Sequence, residues 1–457
     1  MDINSYCQEI KEDIENYAKL STSNSYKDNF LYTKYDVKRG LRDANGKGVV
    51  TGLTNISDVI AFKNNEETGE KEPCEGELYY RGYKIEDLIE GFLAEDRFGF
   101  EEIIYLLLIG RLPKKDEYEH FKEILANLRT LPASFVRDII LKKPSKDMMN
   151  VLARCVLSMY PYDDNPDDLS IENLIEQSLK LIAQFPLMSV YGYNAYIHYH
   201  DEASLIIHQP SKDLSTAENI LHCLRPDSSY TKLEARLLDI CLILHAEHGG
   251  GNNSTFTTHV VSSSGTDTYS TIAAALGSLK GPKHGGANIK VVKMFDDMKA
   301  TLKEDYSDEK VNQYLNDLLD RKAFDGSGLI YGMGHAVYTK SDPRAKVLKR
   351  FIKSLAEEKN LQKDYELYKQ VERLAPEIIN DKRKIYKGVS ANIDFYSGFV
   401  YKMLDIPVEL YTPIFAIARV VGWCSHRIEE IVNSGKIIRP AYIYTAEHLD
   451  YKPIAER

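Results

Sequence analysis

From Ile85 onward, apolar residues recur every three or four positions with almost no strictly alternating stretch. That periodicity leaves a chain little choice but amphipathic helices packed on one another. It predicts helices over about 84–93, 99–109, 115–130, 134–141, 146–159, 170–187, 189–200, 213–224, 230–247 and 266–279. More follow over about 288–303, 308–321, 343–357, 361–379, 391–403 and 413–433, many of them punctuated by Gly or Pro. Upstream, Tyr6, Ile10, Ile14, Tyr17 and Leu20 give a short amphipathic helix over 5–20. Strand character is confined to 49–61 and 77–83, with the charged stretch 64–76 as the loop between them. The expected fold class is therefore all-α, mainly helical, with a small N-terminal β-hairpin region. No repeat of solenoid period is present.

At 457 residues the chain can bury a large core and form more than one domain. A Lys- and Asp-rich stretch, 285–400, lies between two more apolar blocks and is a candidate inserted domain. The net charge of −10 argues against a nucleic-acid binder, though not against a local cationic pocket. Cys7, Cys74, Cys155, Cys223, Cys241 and Cys424 are scattered without a C-x-x-C pair, which suits reduced thiols rather than a disulfide framework or zinc cluster. No apolar run reaches the ~18 residues of a membrane span. The acidic N-terminus has neither a signal-peptide core nor the Arg-rich character of a transit peptide, so a cytoplasmic enzyme is expected.

Three histidines sit beside glycines. The segments are His248-Gly249-Gly250-Gly251-Asn252, Gly281-Pro282-Lys283-His284-Gly285-Gly286 and Gly332-Met333-Gly334-His335. Histidine titrates near neutral pH, and glycine lets backbone approach a ligand closely. His245 and His248 share a helix face at i, i+3, which leaves three readings open: a metal site, a structural histidine, or a contact to an organic substrate. A metal-dependent hydrolase built on that pair is the rival from another class. His284, near a helix start, suits a neutral imidazole that donates to a developing oxyanion and, equally well, a plain turn histidine. Asp394, between Ile393 and Phe395-Tyr396, sits where burial raises a carboxyl pKa and makes a carbon-acid base. Arg344, Arg419 and Arg439 are candidate carboxylate ligands, and Arg419 lies in so apolar a run that it needs an anionic partner. The set suits deprotonation next to one carbonyl, followed by attack on a second carbonyl in a dicarboxylate-type substrate, with no metal required.

These segments, together with Ala336-Val337, Asp342-Pro343-Arg344, Asn392 to Gly398, Ala418-Arg419 and Arg439-Pro440, resemble the citrate synthase family in order and across roughly 45–445. The resemblance implies a nearly all-α homodimer. Its large domain would span 1–284 and 402–457, and a small domain over 285–401 would close on substrate. It implies that Asp394 removes a proton from the acetyl methyl of acetyl-CoA. His284 would stabilise the enol or enolate, and His335 would polarise the oxaloacetate ketone. His248, Asn252, Arg344 and Arg419 would hold oxaloacetate, with Arg439 reaching in from the partner subunit. Gly332, Met333, Gly334, Ala336 and Lys340 would line the CoA site. The reaction at the entry to the tricarboxylic acid cycle, with no cofactor, is the first reading; 2-methylcitrate synthesis from propionyl-CoA is the alternative. Nucleic acid and membrane are not expected partners.

Overall fold

The structure is a computed structural model and describes residues 11–43, 47–65, 70–334, 337–384, 388–433 and 435–456. It divides into two compact units, Met1–Leu53 and Thr54–Arg457. In the first, helices Lys11–Ser25 and Asn29–Lys34 precede a turn closed by a bridge between Arg42 and Gly48. The expected 5–20 helix is thus found from Lys11 to Ser25, and its first half lies outside the described residues.

Among the described residues, the second unit is helical apart from loops and one three-stranded antiparallel sheet, β1 (Ser57–Asn64), β2 (Lys71–Tyr80) and β3 (Tyr83–Lys84). The strands reach into the charged stretch expected as a loop, while 49–56 is not strand. Cross-strand pairing explains this, because Lys63 and Glu77 form an ion pair at 2.9 Å and Asn65 donates to Glu72 at 2.7 Å. Two expected helices, 170–187 and 189–200, are one helix, Ile171–His200, which carries Pro186 in its buried middle. The 134–141 segment is a single wide π-type turn, Val136–Ile140. Helix Asn253–Ser262 was not expected at all.

The core is organised around helix Tyr411–Val432, buried continuously from Tyr411 to Arg427. It packs on Phe100–Ile109, Ile171–His200, Lys232–His245, Asn253–Ser262 and Thr268–Lys280. A second group of helices, Ala287–Leu302, Asp308–Leu319, Pro343–Glu358, Gln362–Arg383 and Ile393–Met403, packs mutually. Its centre is an aromatic stack in which Phe295 lies 3.6 Å from Tyr368, and Tyr368 lies 4.5 Å from Phe399. Cys155, Cys223, Cys241 and Cys424 are buried free thiols. Among the described residues, no helix is long and apolar enough to cross a membrane.

Candidate active site

Helix Lys232–His245 ends in the turn that carries Glu247 and His248, and the sheet braces that turn. The Tyr80 hydroxyl sits 3.0 Å from the carbonyls of Ile243 and Glu247, and Ser57 donates to Glu247 Oε1 at 3.0 Å. From the other side the turn presses on Gly422, where a Cβ would lie 2.2 Å from Glu247 Oε2. Only glycine permits that approach. His248 is buried with its ring edge-on to Tyr338 at 5.4 Å. His245 is occupied differently. Its Nδ1–H donates to the Cys241 carbonyl at 2.8 Å, its ring packs on Phe415, and burial pushes it down to about 3. Among the described residues, no group of three or more His, Cys, Asp or Glu side chains is placed to hold a metal ion.

Arg419 is completely buried in the central helix. Its Nε–H donates to the His245 carbonyl at 2.7 Å and its guanidinium lies over the Phe415 ring. Both terminal amino groups lack a hydrogen-bond partner among the described residues. Burial draws its pKa down to about 10, opposed by the nearby Glu247 carboxylate. A buried guanidinium with two unfilled amino groups is an anion site in waiting.

Arg344 is also buried, but Asp342 holds it in a fork, with Nε–H to Oδ1 at 3.0 Å and the terminal amino group to Oδ2 at 2.8 Å. Asp342 also caps its own helix through the Arg344 N–H at 3.0 Å, and it accepts the Ile393 N–H at 3.1 Å. One carboxylate therefore ties together the N-termini of Pro343–Glu358 and Ile393–Met403. Asn392 caps the latter helix by accepting the Asp394 N–H at 3.0 Å, while its side chain donates to the Gly334 carbonyl at 2.7 Å. Backbone bonds from Asn392 to Gly332 and from Gly334 to Ser390 complete a short antiparallel bridge. This bridge pins the Gly332–Gly334 segment beside Asp394. Gly332 has φ +79°, and a Cβ there would sit 2.9 Å from Phe395.

Asp394 itself has an Oδ1 shut off from solvent and without a hydrogen-bond partner among the described residues. Burial raises it to about 6, against the pull of the Arg344 and Arg419 charges. His284 is held at Nε2 by Ser254, with Oγ at 3.0 Å and the backbone N–H at 3.4 Å. Burial, then the charge of Arg419, lowers it to about 4, so the ring is neutral at pH 7. Ser254 Oγ also accepts from Trp423 Nε1–H at 3.1 Å and lies 3.0 Å from Asn252 Oδ1.

The fold thus links Asp394, Arg344, Arg419 and His284 electrostatically, and attaches Asn252 and the Gly332–Gly334 segment to the same neighbourhood. Met333 is half-buried there, and Lys340 is exposed. Arg439 is exposed on the segment beyond the central helix, where the adjoining Ile438 N–H donates to Ser263 at 3.0 Å. His335 and Ala336 lie outside the described residues. Sequence reasoning missed Ser254, Trp423 and the clamp role of Asp342. Only Asp342 left a signal, as an N-cap aspartate before Pro343.

A half-buried carboxyl raised toward neutrality, a neutral imidazole and a buried guanidinium with two unfilled amino groups suit acid–base chemistry on an anionic substrate. The chain belongs to the citrate synthase family of acyltransferases: the family model "Citrate synthase, C-terminal domain" matches residues 41–441. It is 35% identical over 388 residues to the citrate synthase of Haloferax volcanii, covering 84% of this chain and 93% of that one. To 2-methylcitrate synthase 1 of Corynebacterium glutamicum it is 32% identical over 428 residues, covering 92% and 98%. Its fold superposes on the citrate synthase of Thermoplasma acidophilum, solved with carboxymethyl coenzyme A and oxaloacetate. That match has a TM-score of 0.75 at 28% identity and covers 92% and 99% of the two chains.

Proposed function

We propose that the protein condenses acetyl-CoA with oxaloacetate and hydrolyses citryl-CoA to citrate and CoA, without a cofactor, as the entry step of the tricarboxylic acid cycle in the cytoplasm. The observation that carries this reading is Arg419, buried with two unfilled amino groups within electrostatic reach of the raised Asp394 carboxyl. Ionised Asp394 takes a proton from the acetyl methyl, and the C–H electron pair becomes the enolate. The neutral His284 ring donates to the thioester oxygen as negative charge gathers there. The new carbanion equivalent attacks the oxaloacetate ketone, which His335 polarises, and the resulting alkoxide is protonated. Water then cleaves the thioester. Arg419, Arg344, His248 and Asn252 hold the dicarboxylate, and Gly332, Met333, Gly334, Ala336 and Lys340 line the CoA site.

In this reading residues 285–401 form a small domain that closes on 1–284 and 402–457, excluding water before proton abstraction. The working unit is a homodimer in which Arg439 reaches the partner's site. The exposure of Arg439 in the single chain supports that arrangement. Mixing Arg439→Ala with Asp394→Ala protein, each inactive alone, restores activity if the arginine acts in trans.

A second reading, propionyl-CoA as donor, is favoured by the 2-methylcitrate synthase relative that this chain spans at 98% of its length. One methylene separates the donors, worth about 1–3 kcal/mol. Thiol release with oxaloacetate and each donor distinguishes them. A higher kcat/KM for acetyl-CoA is expected, a reversed ratio selects the second reading, and no release with either removes both.

A further inference from the structure

Beneath the His248 turn runs a file of titratable side chains that the acid–base reading leaves unused. Fully buried His426 presents Nε2 to Glu247 Oε1 at 3.1 Å. Its Nδ1 lies 3.1 Å from His259 Nε2, and His259 Nδ1 lies 2.7 Å from Glu430 Oε2. Glu429 adds a carboxylate 3.8 Å from His426 Nδ1. At the inner end, Glu247 Oε1 also accepts the Ser57 hydroxyl and, at 2.5 Å, the Gly249 N–H. Gly250 packs against both rings, its Cβ position 3.4 Å from His426 and 3.5 Å from His259.

The two rings thus stand in file between carboxylates, Glu247 at the inner end and Glu430 at the outer, with Arg419 and Arg81 adding cationic charge near Glu247. Burial, then the neighbouring His426, lowers the pKa of His259. Burial alone would raise the Glu247 carboxyl, but the His426 ring, Arg419 and Ser57 hold it down at about 2.

We propose that His426 is a positioning residue for the dicarboxylate site: backed by His259, its buried ring stands against Glu247, and Glu247 holds the Gly249 turn presenting His248 and balances Arg419. The proposal rests on reading His248 and Arg419 as oxaloacetate ligands.

The test measures oxaloacetate affinity calorimetrically on the full-length protein, alongside steady-state kinetics. His426→Leu removes the polar ring that stands against Glu247 and should weaken oxaloacetate binding and raise its KM about tenfold or more, with kcat at saturation within about threefold. His426→Gln keeps an N–H near the Nε2 position and should recover affinity to within about threefold of the parent. His259→Leu should also weaken oxaloacetate selectively, and it decides the matter if His426→Leu yields no folded protein by circular dichroism. Wild-type affinity in the leucine variants overturns the proposal, as does a loss confined to kcat or a glutamine variant no better than leucine. Calorimetry needs no turnover. A parent protein that binds oxaloacetate yet releases no thiol therefore refutes the proposed activity and not this role for His426.

Discussion

Replacing Asp394 by Asn should abolish turnover and at the same time make the protein harder to unfold at pH 7. Burial raises this carboxyl from 3.8 to about 6. Its ionised form is therefore disfavoured in the folded chain relative to the unfolded one. For a carboxyl whose folded pKa is raised, the penalty is absent below the unfolded pKa near 3.8, grows as pH rises, and is complete above the folded value near 6. A displacement of roughly two units corresponds to about 3 kcal/mol. An amide of nearly the same shape, neutral at every pH, escapes it. With about 2 cal/mol/K of unfolding entropy per residue, a cooperative chain of 457 residues gains about 1 °C per kcal/mol. The Asn variant should thus melt about 3 °C higher at pH 7, with roughly half that margin at pH 5. Differential scanning calorimetry at the two pH values reads the effect. A variant that melts lower than its parent at pH 7, or a margin that grows toward pH 5, refutes the claim that burial dominates this carboxyl.

The same group should give kcat/KM an acid limb near pH 6, with activity falling about tenfold per unit below it; a limb near 4 means that the base is not Asp394. Arg419→Met should raise the oxaloacetate KM about a hundredfold, the worth of a charge-assisted bond to a carboxylate, and an unchanged KM assigns the dicarboxylate elsewhere. Ser254→Ala should lower kcat about tenfold with a much smaller rise in the oxaloacetate KM, because it removes the support of the His284 ring and only a side contact to Asn252. Equal losses in both constants contradict that division.

Most of the helical framework was legible because burial on one face imposes a 3.6-residue rhythm that sequence records directly. Helix Asn253–Ser262 was not, since its Asn, Ser, Thr and Val residues carry weak intrinsic helix preference, and packing against the central helix overrides that preference. Pro186 interrupts the local hydrogen-bond ladder, yet the buried surroundings hold Ile171–His200 as one helix. In the sheet, the Asn65–Glu72 bond and the Lys63–Glu77 ion pair flanking it hold in strand a stretch whose charge reads as loop. At the site, glycine-flanked histidines and an arginine in an apolar run stood out because each breaks a local expectation. The fork between Asp342 and Arg344 did not, because two residues of opposite charge near a helix start read equally well as a surface pair.

Trp423 is the sole tryptophan of the chain, and it donates to the same serine oxygen that steadies His284. All indole emission therefore originates two hydrogen bonds from a proposed catalytic ring, inside the buried stretch of the central helix. The protein carries its own optical reporter, in which a change of dielectric or hydrogen bonding at the substrate site is read without label, background or mutation.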